Sequence, residues 1–71
     1  MNNIKREIVE MMNSFIKTNG NKPTTIYLTS EKENELILLE NFPIDKSPRE
    51  VFTNSLFGLK PHWDSKEFKV Q

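Results

Sequence analysis

A short alternating run that ends abruptly at a helix-start signal is the feature that most limits what this chain can become. In Pro23-Thr24-Thr25-Ile26-Tyr27-Leu28-Thr29, Ile26 and Leu28 point one way and Thr25, Tyr27 and Thr29 the other. That two-residue period is the mark of a half-buried strand. Pro23 stands just before the run, where a missing N–H costs little. Ser30-Glu31-Lys32-Glu33 follows without a break. Serine with glutamate three residues on is the pattern of a capping box, in which each side chain satisfies the other's free backbone N–H. The chain must therefore set a strand and a helix end to end and pack its other pieces against them.

Upstream lies an amphipathic helix. Ile4, Ile8, Met11, Met12 and Phe15 recur at three- and four-residue spacing, with Val9 and Ile16 widening the stripe. Asn2 or Asn3 is the expected N-cap. Gly20 is suited to the left-handed position after the helix, and Pro23 blocks any continuation. Met11 and Met12 serve ordinary core filling or an adaptable contact surface.

The second helix is predicted to run from Ser30 to about Asn41. Its apolar residues are bunched as Leu36-Ile37-Leu38-Leu39, a run that also fits a strand; the cap and the glutamates of the first turn favour helix. Leu36 and Leu39 are assigned to the core, with Ile37 or Leu38 partly exposed. In the loop Asn41-Phe42-Pro43-Ile44-Asp45, Phe42 and Ile44 are expected to tuck inward. Ser47-Pro48-Arg49-Glu50 is a second capping box, with proline at the first helical position. It predicts a short third helix carrying Val51 and Phe52. That helix ends either at Gly58 or near Asn54, the latter leaving a strand to begin around Leu56.

The last stretch reads as strands. Phe57, Leu59 and Trp63 share one face of an extended chain, Lys60, His62 and Asp64 the other, and Pro61 marks an edge or a bulge. Asp64-Ser65-Lys66 supplies turn chemistry, after which Phe68 and Val70 alternate inward. The expectation is an α+β domain over residues 1–71: N-terminal helix, central strand, second helix, short third helix, and a C-terminal β-hairpin that completes a small three-stranded sheet.

The order of pieces is familiar. Lys22-Pro-Thr-Thr-Ile-Tyr-Leu-Thr29 leads into a glutamate-rich helix, and Leu56-Phe-Gly-Leu-Lys-Pro-His-Trp-Asp64 and a Phe68-containing strand follow. Over residues 22–70 this resembles many small proteins of bacteriophages and other mobile elements, most of them without an assigned function. Their pattern is Pro-x-x-Ile-x-Leu, a helix, then Phe-x-Gly-apolar-x-Val ahead of an Asp-containing turn, and a similar run occurs in part of some phage capsid subunits. Pro61 stands where that pattern has a β-branched apolar residue. The resemblance implies an α+β fold and a phage-like origin, and it transfers no functional residue.

With 71 residues and no cysteine, the chain has a small core and neither a disulfide framework nor a Cys-based zinc site. His62 is the only histidine, so no His–His metal pair can form. His62 with Asp64 could supply two ligands or an acid–base pair, and Ser55 and Ser65 lack a nucleophile elbow. No cofactor and no enzymatic activity are expected. The N-terminus has no signal-peptide pattern and no stretch approaches the roughly 20 apolar residues of a membrane span, so a soluble cytoplasmic protein is expected.

Ten basic residues balance ten acidic ones, against the basic excess usual in nucleic-acid binders. The distribution is uneven. Residues 23–45 carry Glu31, Glu33, Glu35, Glu40 and Asp45 against Lys32 alone, whereas both ends are mildly basic. The leading expectation is a non-enzymatic protein-binding module, an inhibitor or accessory factor of a host protein. Its contact surface would join Tyr27, the acidic helix start at Glu31, Glu33 and Glu35, and Trp63. Two alternatives stand beside it. One is a nucleic-acid accessory protein that stacks bases on Trp63 among Lys60, Lys66 and Lys69. The other is a homo-oligomer joined through leftover apolar residues such as Val9 and Ile16.

Overall fold

The computed structural model describes residues 3–71. Helix α1 (Ile4–Asn19) is the longest element. Asn3 caps it: the Arg6 backbone N–H donates to Asn3 Oδ1 at 3.1 Å. Asn2, the other cap expected from the sequence, lies outside the described residues. Gly20 closes the helix at φ 79°, with its N–H on the Ile16 carbonyl. Strand β1 (Thr25–Tyr27) follows, then α2 (Ser30–Glu35), a 3₁₀ turn (Leu36–Leu38), α3 (Pro48–Val51), β2 (Lys60–His62) and β3 (Lys69–Val70).

The α+β class and the three-stranded sheet are as expected from the sequence, but the C-terminal hairpin is not formed. The strand order is β2-β1-β3, with β1 parallel to β2 and antiparallel to β3. The physical reason lies in β1. Its Ile26 and the following Leu28 are fully buried, and the central place satisfies the strand on both edges. Lys60 N–H donates to the Thr24 carbonyl and Leu28 N–H to that of His62, both at 2.9 Å, while Gln71 pairs with Thr25 on the other side. Lys60 and His62 thus turn their backbone groups toward β1, so the N–H that Pro61 lacks would face outward, where it is not needed. The turn after β2 crosses the end of β1, and Ser65 N–H closes on the Leu28 carbonyl at 2.9 Å.

Two local expectations also need correction. Thr29, not Ser30, is the N-cap of α2: Lys32 N–H donates to Thr29 Oγ1 at 3.2 Å. With the cap one residue earlier, Glu33 leaves the capping-box position and is free to bond elsewhere. The second helix also stops well short of Asn41. The chain tightens to 3₁₀ at Leu36 and turns extended at Leu39. Three residues per turn puts Leu36 and Leu39 on one side, which a bunched apolar run allows. Asn41 then takes φ 65° and Pro43 follows, so the helix cannot resume. The capping box at Ser47 forms as expected, with both reciprocal bonds present.

The core joins Ile4 and Ile8 of α1, Ile26 and Leu28, Leu36 of the 3₁₀ turn, and Leu56 and Leu59. Met11, Met12, Leu39, Phe52, Trp63, Phe68 and Val70 pack around it. The helices therefore cover one face of the sheet, and Tyr27 looks out from the other. No helix among the described residues is long and apolar enough to cross a membrane.

Candidate interaction surface

The stretch between β1 and β2 builds an aromatic cleft. Phe52, just past α3, lies between Phe42 and Phe57, with ring centroids 6.2 and 6.4 Å away. Leu39, Val51 and Lys5 complete a cleft of about 280 Å³. Leu38 is 70% exposed beside it, and Ile37 is 53% exposed. Ile44, expected to tuck inward, is 102% exposed, because the turn at Asn41 and Pro43 carries the chain away from the core. From Lys5 the surface continues along α1. Lys5, Val9, Met12 and Ile16 follow i, i+4, i+7, i+11 spacing and so form one stripe, and Val9 and Ile16 are exposed on it. Exposed apolar side chains grouped in this way on a small domain are a feature of contact sites.

Phe57 holds the lip of the cleft in an unfavourable backbone conformation. Leu56 and Leu59 bridge each other across a two-residue turn, with bonds of 2.8 and 3.0 Å in both directions. The two central residues, Phe57 and Gly58, have φ 51° and 83°. A turn with both φ values positive normally takes Asn-Gly or Asp-Gly. A phenylalanine in the left-handed region costs about 1–2 kcal/mol, and here the residue is 37% exposed. Neither sequence expectation for this segment, an inward-facing strand residue at Phe57 or a helix cap at Gly58, is met. The signal present was Phe-Gly between two leucines, a turn dipeptide with an unusual first residue.

The residues proposed from the sequence are not brought into one patch. Glu33 accepts two bonds from Arg49, at 2.8 and 2.9 Å, and Arg49 also donates to Asp64 at 2.7 Å. Hydrogen bonds to Glu33 and then Asp64 push the Arg49 guanidinium further up, so it stays charged. Arg49 also lies 5.6 Å over the Trp63 ring, which packs against the core. Glu35 is bonded by Lys32 at 3.2 Å, and the same ammonium reaches Glu7 of α1 at 3.0 Å. Among these helix-start glutamates only Glu31 is exposed with no ion pair among the described residues. The acidic surface is therefore largely neutralised within the chain, and Trp63 is joined to Glu33 through Arg49 but not to Tyr27.

Tyr27 lies on the open face of the sheet. Its ring stacks on His62 at 5.0 Å and 25°, and Lys69 Nζ sits 5.3 Å over it. Lys60 is opposite Thr25 in the register and so shares this face. Of the residues proposed for nucleic acid, Lys60 and Lys69 share this face from the two outer strands, while Trp63 packs on the core side. Lys66 is exposed in the turn before β3. His62 is occupied by its stack with Tyr27, and no group of three or more His, Asp or Glu side chains that could hold a metal is found among the described residues. No protein family, characterised protein or solved structure matches the chain.

Proposed function

We propose that the protein is a small non-enzymatic, protein-binding module that grips an apolar segment of its partner in the cleft formed by Phe42, Phe52 and Phe57. The observation that carries this reading is Phe57, an aromatic residue kept partly exposed at φ 51°, where asparagine would be better tolerated. Backbone strain persists where the surroundings over-determine it, and it clusters at binding and active sites. Exposed Leu38 beside the cleft and the Val9–Ile16 stripe extend the contact. Interface centres are enriched in aromatic residues, and Phe42, Phe52 and Phe57 give the cleft that character, with Lys5 and Glu40 also lining it. The resemblance of residues 22–70 to small phage and mobile-element proteins fits an inhibitor or accessory factor acting on a host protein in the cytoplasm.

Capture from a nuclease-treated bacterial lysate tests the reading. A protein bound by the wild type is expected to be lost with Phe57→Asn and with Leu38→Asp, and kept when Glu31, Glu33 and Glu35 are replaced. Loss through the glutamates alone would move the contact to α2.

A second reading is favoured by the Tyr27–His62 stack between Lys60 and Lys69, a base-stacking platform of the kind single-stranded nucleic acids use. Binding there would fall steeply between low and moderate salt, whereas binding in an apolar cleft would not.

A further inference from the structure

A second surface lies on the opposite flank of α1 from the aromatic cleft. Strand β3 is an edge: among the described residues it is bonded only to β1. Gln71 exchanges both backbone bonds with Thr25, at 2.9 and 3.0 Å. In an antiparallel ladder the neighbouring residue turns the other way, so Val70 presents its N–H and C=O to the outer edge. Between that edge and α1 runs an open groove of about 560 Å³. Its walls are Met11, Ser14, Phe15 and Thr18 on the helix, Phe68 just before the strand and Val70 on it.

We infer that this groove takes an extended peptide segment of a partner protein, added to the sheet as a fourth strand beside β3. Two features define the occupant. The outward Val70 groups can be met in register only by an extended backbone, and an apolar floor beneath a strand edge accepts every second side chain of such a segment. The charge along the groove is the second feature. Glu10 lines it, as does Glu7, whose two oxygens are held by Lys32 at 3.0 and 3.3 Å, and the one lysine that lines the groove, Lys69, has its ammonium drawn away to Glu67 and over Tyr27. The Arg6 that pairs with Glu10 does so on an exposed i,i+4 contact, which is weak. The segment should therefore carry apolar side chains at alternate positions and a basic residue toward Glu10.

The test is selection of the whole chain against a displayed library of random peptides, followed by hydrogen exchange with an enriched peptide. Enriched sequences should alternate apolar and polar residues with a lysine or arginine near one end. The Val70 amide should exchange at least about tenfold more slowly in the complex. Ser14→Lys, an exposed change on the groove wall, should weaken binding about tenfold, while Phe57→Asn should leave it unchanged. N-methylation of the peptide should weaken binding at every second residue. A library that yields no binder, peptides that leave Val70 exchange unchanged, or indifference to Ser14→Lys would overturn the inference. Slow Val70 exchange in a dimer of the protein alone would also overturn it, giving the edge to a second copy of the chain.

Discussion

Lys32 is the side chain through which the first helix holds the second. Its ammonium reaches Glu7 at 3.0 Å and Glu35 at 3.2 Å and lies 5.1 Å over the Phe68 ring. The Glu7 hydrogen bond raises its pKa above 10.5 against an opposing desolvation effect, with Glu35 adding to the rise. A cation whose folded pKa exceeds its unfolded one contributes stability below the unfolded value and loses it as pH rises through the folded one. The gap in urea midpoint between wild type and Lys32→Gln should therefore be constant from pH 7 to 9 and close above pH 10.5. At this scale the sequence was partly readable. The stripe of α1 followed from spacing, whereas Val9 and Ile16, read as widening it, are exposed. The fates of Glu33 and Glu35 did not follow from spacing, because their partners Arg49 and Lys32 become neighbours only through the fold.

Among the elements, the start of α2 shows how two adjacent capping residues compete. Thr29 and Ser30 both have the right chemistry, and only the dihedral angles decide which caps. Thr29 is extended, at φ −76° and ψ 164°, and Ser30 is already helical. Thr29→Ala should cost about 1 kcal/mol and Ser30→Ala close to nothing, read from urea denaturation; the reverse order would restore the Ser30–Glu33 box. The hairpin was misread for a related reason. Two alternating runs joined by Asp64-Ser65-Lys66 give the same signal whether the strands are neighbours or lie one place apart. Long-range pairing to β1 decided it, through burial of Ile26 and Leu28 on both flanks. The Ser47 box was legible because all its parts are local.

The whole molecule is small and elongated, with extents of 39 × 24 × 21 Å. A domain of this length is stabilised by about 4–10 kcal/mol in total. Leu36 is fully buried where the 3₁₀ turn meets the core, so Leu36→Ala should cost about 2–5 kcal/mol, a large share of that total. The wild type should unfold in one cooperative step, and the variant's lowered urea midpoint measures the loss. So narrow a margin gives weight to the strain at Phe57: a conformation costing about 1–2 kcal/mol is a sizeable share of it. The most direct measurement is urea denaturation of Phe57→Asn set beside its capture of the bound protein after nuclease treatment. If Phe57 is held at the lip of the cleft for contact, the variant's midpoint equals or exceeds that of the wild type and the bound protein is lost. A partner retained by the variant, or a fall in stability as large as that of Leu36→Ala, would contradict the role assigned to the cleft.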